Sequence, residues 1–186
     1  MHPLPITVAF ITEAIKRLRS ISAPYSSRGS DTDEHTKRDP WTLLEEKGVS
    51  QLHSSSTDEL KERDGGALDL WRGMKDVVLT GAGEFFENGG TEVAPLSTTN
   101  ELSVALRYSA STCATLLHLR AATFIQRGAS LHFLSVHPHE AEWVFPPMTF
   151  LQPQGEPRQV RIVLKDNDGV DVPVTYTVIS VVPFIA

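Results

Sequence analysis

Residues 159–182 read QVRIVLKDNDGVDVPVTYTVISVV. Apolar side chains recur at roughly alternate positions in Val160–Leu164 and again in Val174–Val182. That period of two belongs to strands. Between the two runs, Asp166-Asn167-Asp168-Gly169 is a hairpin signal, because these residues tolerate the left-handed backbone that tight turns require. Strands joined this closely pair antiparallel, since a parallel pair needs a crossover of about a dozen residues or more.

Working back toward the N-terminus, strand-like runs fall at Met148–Gln152, Glu142–Phe145, Leu131–Ser135, Leu116–Phe124, Glu92–Ser97 and Leu68–Met74. Gly81, Gly83, Gly89 and Gly90 bracket a segment around Phe85 and Phe86 that reads as a loop. Helical spacing is confined to two earlier segments. Over residues 6–20, Val8, Ile11, Ile15 and Leu18 share one face. In Asn100–Ser109, Leu102, Ala105 and Leu106 do the same. No internal repeat is present. The pattern predicts an α+β domain rather than a repeating βαβ unit.

The 186 residues suit a single domain with its own core. Its divisions are a helix over 1–20, a polar insertion or linker over 21–66, and a folded core over 67–186. The middle stretch is rich in Ser and Asp and poor in β-branched apolar residues, so it offers little surface to offset its ordering entropy. Within it, Trp41–Lys47 has the makings of a short helix. A net charge of −6 argues against a nucleic-acid partner, which needs a basic surface. The apolar run Ile6–Ile11 is too short to span a bilayer and lacks the flanks of a signal peptide. No membrane association and a cytoplasmic location are the expectations. One cysteine, Cys113, excludes an internal disulfide and is expected to be a small buried residue.

Three short pieces can carry chemistry. Arg72-Gly73 lies in an apolar strand, where an arginine is costly unless it meets an anion and a glycine lets a ligand approach the backbone. The bland reading is an exposed edge arginine beside a bulge. Ser97-Thr98-Thr99 ends a strand just ahead of a helix. Such hydroxyls usually cap the helix, and they can also hold a polar ligand. In HPHEAEWVFPP, residues 137–147, Glu140 and Glu142 share one face if 140–144 is extended. Two like charges there repel each other, an arrangement that is expensive unless it is used; the bland reading is a solvated acidic edge closed by Pro146-Pro147. His137 and His139 stand beside them, but the ligand count for a metal is incomplete.

In this order the three pieces resemble the arginine-specific mono-ADP-ribosyltransferases, whose motifs are abbreviated R-S-E. The matching text is LWRGM, APLSTTNELSVALRYS and HPHEAEWVFPPMTFLQP, and the likeness runs from about Leu68 to Leu164. The resemblance implies two packed, mainly antiparallel sheets around an NAD cleft, with helices on the N-terminal side. It implies NAD as a substrate, a protein arginine as acceptor, and no metal. Carried over by position, Arg72 would hold the NAD phosphates and Gly73 would meet the nicotinamide amide through its backbone. Ser97 would order the site around the nicotinamide ribose and support the catalytic Glu142, Thr98 would assist, and Glu140 would orient the acceptor guanidinium. An NAD glycohydrolase and a catalytically inactive binding module stand as alternatives.

Overall fold

A computed structural model describes residues 4–26, 67–77, 82–165 and 170–185. The hairpin at its C-terminal end joins strand β8 (Arg158–Lys165) to β9 (Asp171–Phe184), antiparallel from Arg158↔Val178 to Lys165↔Asp171. At 14 residues β9 is long enough to be shared. Its far end also pairs with β7 (Thr149–Pro153), and its other edge runs parallel to β4 (Ala114–Ala121) from Ala114↔Tyr176 to Leu119↔Val181. Next comes β1 (Leu68–Met74), antiparallel to β4 along its whole length. Beyond it lie β3 (Leu96–Thr99), β6 (Glu142–Phe145) and β5 (Ala129–Ser130), while β2 (Gly90–Glu92) edges β7. The α+β class is as expected. Because β9 is shared, the strands join into one nine-stranded network, antiparallel apart from the β4–β9 pair.

The period of two sorts the core onto two faces. Trp71, Leu116, Tyr176 and Val178 point one way, with Val160 and Ile162 of β8 and with Leu102, Ala105 and Leu106 of a helix. Leu70, Leu117, Leu119, Ile179 and Val181 point the other way, with Leu96, Trp143 and Phe145. Strands β1, β4 and β9 are thus covered on both sides, which is why their apolar runs are nearly continuous. One polar group is built into the first face. The ring of His118, only 5% exposed, stacks on Trp71 at 4.4 Å and lies 2.8 Å from an Asp69 carboxylate oxygen and 3.3 Å from the Ser180 hydroxyl.

Three helices complete the described chain: α1 (Leu4–Ser26), α2 (Ala82–Asn88) and α3 (Leu102–Ser109). Helix α1 runs past the predicted boundary at residue 20 and packs on β5. Its Arg19 guanidinium donates to the Ile125 carbonyl at 2.9 Å and lies over the Phe124 ring. No helix among the described residues is long and apolar enough to cross a membrane. Helix α3 is tied to the first face from below. The Tyr176 hydroxyl donates to the Leu106 carbonyl at 3.0 Å, and burial pushes its pKa up to about 12.

Several expectations need correction. Phe85 and Phe86 lie in helix α2, not in a loop; Gly89, at φ 76°, ends that helix in the left-handed conformation glycine favours, and its N–H reaches the Phe85 carbonyl at 2.8 Å. The single strand expected over Glu92–Ser97 is split into β2 and β3, with the donor-less Pro95 between them. Leu131–Ser135 is a turn rather than a strand: the N–H groups of Leu134 and Ser135 both bond the Leu131 carbonyl. Strand β4 stops at Ala121, and Phe124–Gln126 is a 3₁₀ turn. Cys113 is exposed, not buried. The Asp166–Gly169 turn and the helix expected at Trp41–Lys47 lie outside the described residues.

Candidate active site

The sheet is weakly joined at one place. Strands β1 and β3 share a single register pair, Trp71↔Thr99. Past that pair β1 continues into Arg72 and Gly73, while β3 leads back to Ser97, without further pairing between them. Backbone on facing edges that is not spent on a ladder is available to a ligand. Strand β3 is fully paired on its other side with β6, from Leu96↔Phe145 to Thr99↔Glu142. Glu142 is therefore directly opposite Thr99, and Ser97 is its diagonal neighbour on the same face.

Three of the expected residues meet here. The Ser97 hydroxyl donates to Oε1 of Glu142 at 2.6 Å, the short distance of a hydrogen bond to a carboxylate. A guanidinium nitrogen of Arg72 lies 3.4 Å from the Ser97 carbonyl oxygen, bringing the arginine to the same strand. Ser97 is exposed, and Arg72 and Glu142 are half-buried, so all three can be reached from solvent.

Gly73 is placed differently from a simple ligand contact. A β-carbon there would overlap the backbone carbonyl of Ala105 and crowd the Ser109 side chain. Its lack of a side chain lets α3 lie directly on β1, next to the candidate site. Thr98 is not brought to the site. It is 3% exposed, on the Trp143 face of the strand, and its hydroxyl donates to the Trp143 carbonyl at 2.9 Å. The neighbour that does participate is Thr99. Its hydroxyl donates to the Glu140 carbonyl at 2.6 Å and accepts the Glu101 N–H at 2.9 Å, just ahead of α3.

Glu140 reaches the site by a route the alternation did not predict. Residues 140–144 are not one extended run. Pro138–Glu140 is a 3₁₀ turn, and Ala141 takes the left-handed conformation, with φ 44° and ψ 50°. For an alanine this costs roughly 1 kcal/mol. The strand begins only at Glu142. Glu140 and Glu142 thus leave separate backbone conformations, and Tyr108 of α3 contacts the first of them. The Tyr108 hydroxyl donates to Oε1 of Glu140 at 2.7 Å. Its pKa is raised above the ordinary tyrosine value, chiefly by this hydrogen bond and the charge of Glu140, then by desolvation, against an opposing contribution from Arg107 and with the smallest from Glu142. The phenol therefore feels both carboxylates. Sequence reasoning missed Tyr108 because it lies in the exposed half of an amphipathic helix.

The flanking histidines have other neighbours. His137 and His139 pack edge to face at 5.7 Å, and His132 Nδ1 lies 3.1 Å from the Pro138 carbonyl, bracing the 3₁₀ turn. Among the described residues no three His, Cys, Asp or Glu side chains converge as a metal site would require.

The chain matches no protein-family model and no curated protein. It is similar to solved structures of ADP-ribosyltransferases. One is HopU1 of Pseudomonas syringae, 22% identical, covering 62% of this chain and 45% of that one at a TM-score of 0.39. Another is exoenzyme S of Pseudomonas aeruginosa, in complex with human 14-3-3 protein beta and carba-NAD, at 15% identity, 78% and 60% coverage and a TM-score of 0.36. A third is the Vis toxin of Vibrio splendidus in complex with agmatine, at 18% identity, 92% and 75% coverage and a TM-score of 0.39. The chain spans less than two thirds of the length of the first two.

Proposed function

We propose that this protein is an NAD-dependent mono-ADP-ribosyltransferase that moves ADP-ribose from NAD to arginine side chains of proteins, releasing nicotinamide. The observation that carries this reading is the 2.6 Å bond between Ser97 and Glu142, with Arg72 against the same serine. Breaking the bond between nicotinamide and ribose develops positive charge on the ribose as nicotinamide leaves with the electron pair. A carboxylate held in place by Ser97 stabilises that charge more than it stabilises the ground state. Arg72, at the unpaired edge of β1, is suited to the NAD phosphates. Gly73 offers its backbone at the same edge.

The second carboxylate selects the acceptor. A guanidinium presents a planar fork of donors that matches a carboxylate. Glu140 can orient it and take the proton its nitrogen loses as the new bond to the ribose forms. Water as acceptor would not need Glu140. Glu140→Gln is therefore expected to lose transfer to agmatine by about 100-fold, the scale of a lost general base, while nicotinamide release from NAD continues. Chromatography of nicotinamide and the agmatine adduct in one reaction checks this. Equal transfer by the variant and the wild type would remove Glu140 from the acceptor role.

A further inference from the structure

We propose that Tyr108 is a positioning residue for the acceptor: its hydroxyl holds the Glu140 carboxylate in the orientation that an incoming guanidinium meets. This inference rests on the arginine-transfer reading above.

Glu140 sits in a short 3₁₀ turn, so its own backbone does not fix it as a strand would. It is held at two points instead. Thr99 bonds its carbonyl at 2.6 Å, and Tyr108 bonds Oε1 of its carboxylate at 2.7 Å. Both donors come from rigid ground. Thr99 is 7% exposed and ends β3. Tyr108 is 63% exposed, but the helix beneath it is locked: Ala105, Leu106 and Ser109 are buried, Ala105 lies against Gly73, and Tyr176 bonds the Leu106 carbonyl. A side chain carried on a packed helix positions its partner better than one on a mobile loop does.

Occupying Oε1 has a consequence for the acceptor. One phenol hydrogen bond uses one lone pair of Oε1 and leaves both oxygens able to accept, so the guanidinium fork meets a carboxylate whose plane is already set and less rotamer freedom is lost when it docks. The charged groups acting on the phenol are Glu140, Glu142 and Arg107. Glu140 raises the phenol's pKa above its ordinary value by its hydrogen bond and its charge, so at neutral pH the hydroxyl is a hydrogen-bond donor. It has no part as a base.

The test compares wild-type protein and Tyr108→Phe in NAD and agmatine, following nicotinamide release and adduct formation together. The ratio of transfer to hydrolysis is expected to fall about 3- to 10-fold in Tyr108→Phe, the scale of one hydrogen bond to a charged group in an open site. The loss should appear in the KM for agmatine rather than in the KM for NAD. A structural role alone would lower both reactions together. The difference spectrum at alkaline pH between wild type and Tyr108→Phe isolates the Tyr108 transition. Its midpoint should lie above that of an unperturbed tyrosine and move down in Glu140→Gln. An unchanged or improved transfer ratio in Tyr108→Phe, with an active wild type, overturns the inference alone. A wild type that forms no agmatine adduct overturns the parent reading and this inference with it.

Discussion

Glu142→Gln is expected to lower both nicotinamide release and transfer to agmatine by about 10²–10³-fold, the loss seen when one preorganised group at a developing charge is removed. The substitution keeps the size of the side chain, and the amide oxygen can still accept the Ser97 hydroxyl. What disappears is the negative charge that the proposed reaction uses beside the ribose. The fold should be untouched, because Glu142 is half-buried at the start of β6 and its backbone pairing with Thr99 does not depend on the side chain. Circular dichroism and a thermal melt matching wild type, together with the lost activity, separate a chemical effect from unfolding. Activity within a few-fold of wild type would mean that another group stabilises the charge. Ser97→Ala should cost less, since it leaves the carboxylate and removes only its orientation.

Gly73→Ala is expected to be the most damaging change outside the carboxylates. The added methyl group cannot be accommodated by a side-chain rotation, because what it meets is the backbone carbonyl of Ala105. Helix α3 must lift away from β1, and overpacking of this kind costs about 3 kcal/mol. For a chain of this length that corresponds to a fall in Tm of roughly 6–12 °C. The damage would reach the site as well, since the same helix carries Tyr108. Thermal denaturation followed by fluorescence checks it. A melt within 2 °C of wild type, by this rough scale, would show that α3 does not press on β1 as described.

The parts of this molecule that were legible in the sequence share a physical character. The β8–β9 hairpin could be read because alternation on both sides of a turn signal leaves few other arrangements. Strand β1 and helix α3 could be read because each buries a continuous or periodic apolar face. Helix α2 could not, since its seven residues are framed by glycines that suggest a loop and its helicity depends on packing Phe85 and Phe86 against the second face. The split of Glu92–Ser97 needed knowledge of two different partners, β7 and β6.

The candidate site divides in the same way. Arg72, Ser97 and Glu142 were singled out in the sequence, and the strand register accounts for their lying together. The assisting role expected of Thr98 was carried over by position from the resemblance. The strand alternation then turns Thr98 toward Trp143 and leaves Thr99 on the site face. The geometry of Glu140 was hidden because Glu-Ala-Glu before an apolar run reads as an extended strand. Pro138 and the left-handed Ala141 change the backbone just where that alternation would have been trusted. Tyr108 left no mark in the sequence. Its significance lies in a contact with a residue 32 positions away.

Incubation of the purified protein with NAD labelled in the adenylate half and with agmatine, followed by separation of the products by mass, tests arginine transfer itself. Free nicotinamide and a labelled ADP-ribosyl-agmatine are expected, both strongly reduced in Glu142→Gln. Folded protein that yields neither product would contradict arginine transfer.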